Sequence, residues 1–355
     1  MTLNIIKKIN NIAKEINHEI VIMELCGTHT EAVAKNGIKK ILPKNIKLLS
    51  GPGCPVCVTD QKDVDVIIKL ALNNIPIACY GDVLRVPGNL VLKSDKGKQN
   101  LSLNLARELG ADVFEVYSTE DALKLQKEKP NLVFFGVGFD TTTPMTADAI
   151  KKGLTVYSSH KLFVPAMQVL VDTPQLKIDG FLNPGHVSTI IGTKPYKKFK
   201  LSQVVAGFTG EDVLISIYML LKQISEGRAE VENEYVRCVR LEGNPIAMKL
   251  VDEVFEMGDA FWRGFGNIPN SGLKIRKKYE KFDAKVKYKN ILYRNTELVE
   301  ESVKETGCIC GAILRGLRQP KDCKLFNNKC TSENPVGACM VSSEGACGIE
   351  AKYLA

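Results

Sequence analysis

Short apolar runs rich in branched residues alternate along this chain with stretches whose apolar positions recur at helical spacing, the pattern of βα units on a parallel sheet. The runs predicted as strands cover residues 19–25, 46–49, 75–80, 112–117, 132–137, 162–164 and 178–182. Helical periodicity covers 61–72, 120–129, 145–152 and 210–226. The expected fold class is therefore α/β, with two similar lobes, each a mainly parallel sheet flanked by helices, spanning residues 1–117 and 118–228. Past residue 228 the texture changes to a helix around 245–258, a Gly/Pro/Asn-rich loop at 264–272, a basic run and a cysteine cluster. Residues 229–355 are expected to form a smaller C-terminal domain held together by a metal.

Composition narrows the class. The 355 residues are 45% hydrophobic and 25% charged, enough for a real core in about two to three domains. No apolar run approaches the roughly 18 residues a membrane span needs, and the Lys-rich N-terminus lacks a signal-type apolar core. A cytoplasmic protein with no membrane association is expected. The net charge of +8 is partly local, with eight Lys or Arg between Leu273 and Asn290. That run carries no aromatic stacking array and reads as a solvated surface segment, so no nucleic-acid function is expected.

Eleven cysteines are an odd number, and in a reducing compartment thiols serve metals and redox chemistry more often than structural disulfides. Cys26 directly follows the first predicted strand, and Thr28 can cap the helix beyond it. The thiol would then sit at a positive helix N-terminus, which lowers its pKa and favours a nucleophilic, metal-binding thiolate. His29 lies within reach of the same ligand. A buried cysteine beside a hydrogen-bonded histidine is the bland alternative. In Gly51-Pro-Gly-Cys-Pro-Val-Cys57 the two-residue gap lets Cys54 and Cys57 either chelate one metal or close a disulfide. Cys79 and Cys238 have no spaced partners and read as small core residues.

In Gly136-Val-Gly-Phe-Asp-Thr-Thr-Thr-Pro144, hydroxyls and backbone amides at a helix start suggest an anion cradle, while the dinucleotide and P-loop glycine patterns are missing. Asn183-Pro-Gly-His-Val-Ser188 places His186 after another strand, where its loop could meet those of Cys26 and Cys54. The six C-terminal cysteines contain no Cys-x-x-Cys pair for a zinc ribbon, and widely spaced thiolates suit a cubane iron–sulfur cluster better. Spacing alone does not choose four ligands from six.

Six segments jointly resemble the hydrogenase maturation factor HypD family. They are Cys26-Gly-Thr-His-Thr30, the motif from Gly51 to Cys57, Gly138-Phe-Asp-Thr-Thr-Thr-Pro144, Pro184-Gly-His-Val-Ser188, Trp262-Arg-Gly with Ser271-Gly272, and Gly337-Ala-Cys-Met-Val-Ser-Ser-Glu-Gly-Ala-Cys347. Asp140 stands where members usually carry Glu, and Gly348-Ile-Glu replaces an aromatic-rich tail. The resemblance implies a [4Fe–4S] cluster on Cys308, Cys323, Cys330 and Cys347, leaving Cys310 and Cys339 as non-ligands. It also implies assembly of the Fe(CN)₂CO group of nickel–iron hydrogenases on a complex with the small chaperone HypC. Cyanide would come from HypE, and the loaded iron would pass through HypC to the hydrogenase large subunit. Cys26 would hold the iron, His29 and His186 would orient the site or move protons, and Cys54 with Cys57 would cycle between dithiol and disulfide. Two other readings of the same cysteines are a stand-alone cluster-dependent disulfide reductase and a structural zinc protein.

Overall fold

The computed structural model describes residues 2–94, 97–292, 299–301 and 306–354. Its strands in chain order are β1 (Ile20–Glu24), β2 (Ile46–Ser50), β3 (Ile77–Cys79), β4 (Leu90–Ser94), β5 (Gly97–Asn100), β6 (Val113–Glu115) and β7 (Val133–Gly136). They continue with β8 (Val156–Ser158), β9 (Gly180–Pro184), β10 (Ser202–Ala206), β11 (Val231–Asn233), β12 (Phe255–Trp262), β13 (Gly266–Ile275) and β14 (Val299–Glu301).

Two sheets are wholly parallel. The first runs β11-β10-β9-β1-β2 and the second β6-β3-β7-β8. Their central strands are mostly apolar because helices cover both faces: β1, β7, β9 and β10 are buried at every position, with Glu24, Asn183, Ser202 and Gln203 the buried polar exceptions. On one face of the first sheet the amphipathic helices Thr2–Glu15 and Gly210–Ser225 bury Ile9, Val213, Ile217 and Leu220 against Ile20 and Ile22. The second of these helices starts at a capping box, in which Thr209 and Asp212 satisfy each other's backbone N–H groups. The opposite face of the first sheet, through Met23 and Leu25, shares one core with the second sheet's Phe135 and Val137 and with the C-terminal cysteines.

The α/β class and helix-flanked parallel sheets agree with the sequence, and the cysteines do gather in the C-terminal region. The division of strands does not follow residue 117. Strands β3 and β6 precede that point yet share the second sheet with β7 and β8, β3 pairing with β7, while β9 to β11 return to complete the first. Parallel pairing explains the difference, since each parallel neighbour needs a crossover and the chain is free to leave one sheet and come back. Two local expectations also change. Residues 162–164 begin the helix Phe163–Val171, whose Pro165 sits in the first turn where its missing N–H costs nothing. The strand of that unit is β8, short and polar at its end. The glycine-rich segment 264–272 enters β13 from Gly266 onward, antiparallel to β12 with a register shift between Gly258 and Ala260. Trp262 closes this hairpin onto the body: its indole N–H donates to Ser271 Oγ at 2.8 Å, and its ring stacks on Phe139 at 5.7 Å.

Candidate functional site

In open parallel sheets, ligands gather at the carboxyl ends of strands where the order reverses. Here that point lies between β1 and β9 in the first sheet and between β3 and β7 in the second. Both open on the same cavity of 480 Å³, walled by Cys26, Gly53, Tyr80, Thr142, His186 and Glu344 among others.

Cys26 occupies the N-cap of the helix Gly27–Lys35, and its carbonyl accepts the His29 and Thr30 N–H groups at 3.0 and 3.1 Å. Gly53 lies so close that a Cβ there would stand 2.4 Å from the Cys26 Cα, so only glycine lets the Cys-x-x-Cys loop approach this thiol. Across the cavity mouth, Glu344 accepts from Thr28 Oγ1 at 2.7 Å, and a Cβ on Gly27 would meet the Glu344 Cβ at 2.4 Å. Asp82 holds the same C-terminal loop, accepting from Ser342 Oγ and from both the backbone N–H and the hydroxyl of Ser343. The C-terminal segment is thereby clamped to both lobes over Cys26. The expected lowering of the Cys26 pKa is reversed. Burial, reinforced by the Glu344 carboxylate, pushes it up to about 12, outweighing the Thr28 hydroxyl and the N–H groups of the helix start. Without a bound metal this thiol stays protonated.

His29 is fully buried and does not reach the cavity wall. Its Nε2 lies 3.2 Å from the Ala206 carbonyl and its Nδ1 has no partner among the described residues. Burial pulls its pKa down to about 4, so the ring is neutral, with the proton on Nε2. His186 does line the cavity, and burial lowers its pKa as well. Both rings stack on Phe208, at 4.8 and 3.8 Å, which links the two histidines without bringing them into contact.

Cys54 and Cys57 are joined as a disulfide across the short helix Pro55–Val58, and Cys54 Sγ accepts the Cys57 N–H at 3.1 Å. Cys57 Sγ sits 4.0 Å from the Ala338 carbonyl. The residue after Ala338 is Cys339, disulfide-bonded to Cys310. Cys339 in turn lines a small, wholly apolar cavity with the free thiols Cys308, Cys323, Cys330 and Cys347. Burial raises the pKa of Cys308, and burial with three neighbouring thiols raises that of Cys347. Cys330 Sγ accepts the Val336 N–H at 3.3 Å. Among the described residues no three or more His, Cys, Asp or Glu stand so as to hold a single metal ion between them.

The Cys310–Cys339 pair was not expected; the one clue was that both cysteines were left over after four ligands had been assigned. Glu344 and Phe208 also carry no sequence signal of their own. Cys79 is buried as expected, but Cys238 is exposed, on a surface turn rather than in the core. The anion cradle is weaker than expected, because two of its three threonine hydroxyls are committed within the loop: Thr142 Oγ1 donates to the Phe139 carbonyl and Thr143 Oγ1 to that of Asp140. Asp82, Glu115 and Glu344 moreover make the rim acidic.

Asp140 anchors that loop, its Oδ2 accepting the Phe163 N–H at 3.0 Å, and burial pushes its pKa up to about 6 from 3.8. Between these values the folded chain holds a proton that the unfolded chain has released, so this group's contribution is full below pH 4 and falls as pH rises through 6. The loss amounts to about 3 kcal/mol. Asp140→Asn keeps an acceptor for Phe163 and is expected to remove that slope. Denaturant unfolding of both proteins from pH 4 to 7 checks this, and parallel profiles would show that the carboxyl ionises as it does in the unfolded chain.

Two helix-flanked parallel sheets that share a cavity lined by Cys26, beside a cysteine-rich C-terminal segment, define the class as an α/β protein. The family profile HypD, described as hydrogenase formation hypA family, matches residues 1–354. The chain is 44% identical over 352 residues to hydrogenase maturation factor HypD2 of Bradyrhizobium diazoefficiens, covering 93% of this chain and 88% of the relative. It is 42% identical over 352 residues to hydrogenase maturation factor HypD of Cupriavidus necator, covering 93% and 89%. To the HypD of Rhodobacter capsulatus it is 42% identical over 347 residues, covering 94% and 89%. The chain belongs to the HypD family of hydrogenase maturation factors. No described helix is long and apolar enough to cross a membrane.

Proposed function

We propose that this protein is the scaffold on which the Fe(CN)₂CO group of a nickel–iron hydrogenase is built, with iron as its cargo at Cys26. The observation that carries the reading is the order of the sulfurs. Cys26 packs against the Cys54–Cys57 loop, which packs against the Cys310–Cys339 pair, which borders the cavity of four free thiols. A soft thiolate suits a low-spin iron carrying cyanide and carbonyl. A second thiolate ligand for the same iron would come from HypC, with cyanide from HypE and onward transfer to the hydrogenase large subunit.

Cys308, Cys323, Cys330 and Cys347 fit a [4Fe–4S] cluster by donor chemistry: four unpaired cysteines, no competing oxygen ligand and an apolar wall. When bound, the cluster supplies reducing equivalents one at a time. Each disulfide takes up two electrons and two protons to become a dithiol. Cys54 and Cys57, released in this way beside Cys26, provide thiols next to the iron. His186 on the cavity wall can hold a proton near it, and His29 fixes the backbone behind Cys26.

Anaerobic purification tests the cluster assignment. About four iron and four sulfide per chain, with broad visible absorption, are expected for the wild type. Cys323→Ser is expected to lose them, and Cys310→Ser to keep them. Zinc in place of iron, or loss from Cys310→Ser equal to that from Cys323→Ser, would overturn the ligand set.

A further inference from the structure

One cation near the sulfurs is left with unused hydrogen-bonding capacity. Arg263, next to Trp262 at the end of β12, donates its backbone N–H to the Val58 carbonyl at 2.9 Å and its Nε–H to that of Thr59 at 3.0 Å. Both acceptors directly follow Cys57, so the arginine is fastened to the end of the Cys-x-x-Cys turn. The next residue, Gly264, has φ +85° and is pressed against Gly311: a Cβ on Gly264 would stand 2.5 Å from the Gly311 Cα. Gly311 adjoins Cys310, two residues from Cys308. Arg263 thus bridges the Cys54–Cys57 turn and the Cys308 edge of the four-thiol cavity.

Its Nη2 is shut off from solvent and has no hydrogen-bond partner among the described residues. Burial works against the charge, and Asp60, Asp65 and Cys308 are the groups near enough to support it. Neither acid bonds Nη2. Asp60 caps the helix Gln61–Leu72 through the Lys62 N–H, and Asp65 accepts the Asn89 N–H at 2.6 Å. The sulfur side is where an acceptor is still needed.

We propose that Arg263 is a positioning residue for the cluster, its free Nη2–H donating to sulfur at the Cys308 corner and holding a positive charge where an added electron resides. This rests on the reading of the four thiols as cluster ligands. N–H donors and positive charge beside an iron–sulfur cluster stabilise its reduced, more negative state, and so ease its reduction. The same side chain fixes the distance from that corner to the disulfide that receives the electrons.

The test is a redox titration of the full-length, cluster-loaded protein, followed by visible absorption and by the electron paramagnetic resonance signal of the reduced state, in wild type, Arg263→Gln and Arg263→Lys. At the wild-type midpoint, the reduced-to-oxidised ratio in Arg263→Gln is expected to fall about tenfold, the change that a midpoint shift of about 59 mV makes for one electron. Arg263→Lys keeps the charge without the fork and should fall by a smaller factor. An unchanged ratio in an iron-replete glutamine variant overturns the proposal and leaves the ligand assignment standing. If the glutamine variant folds without taking up iron while the lysine variant takes it up, the need for the charge is supported; loss of iron from both indicates a purely mechanical bolt and overturns it. Should the glutamine variant not fold, the lysine variant decides, an unchanged ratio there overturning the proposal. A wild-type chain without iron–sulfur absorption would instead overturn the ligand assignment, and the role of Arg263 with it.

Discussion

Cys26→Ala is expected to abolish the cyanide and carbonyl infrared bands of the chain co-purified with HypC, while leaving the visible absorption of the C-terminal cluster intact. The separation of the two effects follows from the structure. Cys26 lies at the carboxyl end of β1 on the large cavity, whereas the four free thiols line a different, smaller one. Alanine at position 26 removes only one sulfur and no backbone contact, because the groups that hold this turn are the Cys26 carbonyl, the Gly27 N–H bonded to the Gly53 carbonyl, and the Gly53 approach. Folding should therefore survive, with loss of one small buried side chain costing about 1 kcal/mol. Iron occupancy at this site should drop below detection, since a methyl group offers nothing in place of a thiolate. Thr28→Ala is a useful contrast, because it keeps the sulfur while freeing Glu344 from its hydrogen bond and removing the hydroxyl beside Cys26, and it should weaken the bands rather than erase them. Persistence of both bands in Cys26→Ala would place the iron elsewhere. Their absence from wild type as well, with the cluster present, would favour a disulfide reductase that carries no such iron.

The features legible in the sequence were those set by local pattern. The run 61–72 is helical over the same residues as the helix Gln61–Leu72, because Asp60 caps it and Val64, Ile67, Ile68 and Ala71 form one buried stripe. The βα units were legible because buried parallel strands are mostly apolar, polar residues such as Glu24 and Gln203 being the exceptions. Which sheet a strand joins was not legible, since Ile77–Cys79 and Ile20–Glu24 have the same character and only tertiary pairing separates them. The motifs placed Cys26, Cys54 and His186 correctly at strand ends, and the structure brings their loops together around one cavity. The electrostatics of Cys26 could not be read the same way. Glu344 is 318 residues away in sequence, and its carboxylate with full burial outweighs a helix start that is local. The pairing of Cys310 with Cys339 was hidden for a related reason: spacing reveals chelating pairs close in sequence, not thiols 29 residues apart.

Cys57→Ser should reduce iron loading as severely as Cys54→Ser, and the double variant should be no worse than either. The two sulfurs form a single two-electron couple, so removing one leaves the other without a partner, and residues that act as a unit show grossly non-additive losses. A drop of at least about tenfold in loaded iron is expected from each, on the scale of losing one member of a catalytic unit. The fold should tolerate the change. The bridge spans only three positions, and the turn is also held by the Arg263 bonds to Val58 and Thr59. The cost at position 57 is a buried hydroxyl, whose O–H can donate to the Ala338 carbonyl now 4.0 Å from the sulfur. Thiol counting after reduction of the cluster provides the second readout. Wild type should expose two additional alkylatable thiols at Cys54 and Cys57 once electrons have been supplied, and either serine variant should show none that depend on reduction at this loop. Strict additivity of the two substitutions, or full iron loading in Cys57→Ser, would mean that the Cys-x-x-Cys turn serves only to shape the wall beside Cys26. In that case Gly53→Ala, which drives a Cβ into the Cys26 backbone, should be far more damaging than either serine. The redox reading requires the opposite for cluster-dependent thiol release: Gly53→Ala should retain it while losing iron, because that substitution displaces Cys26 and leaves both sulfurs in place.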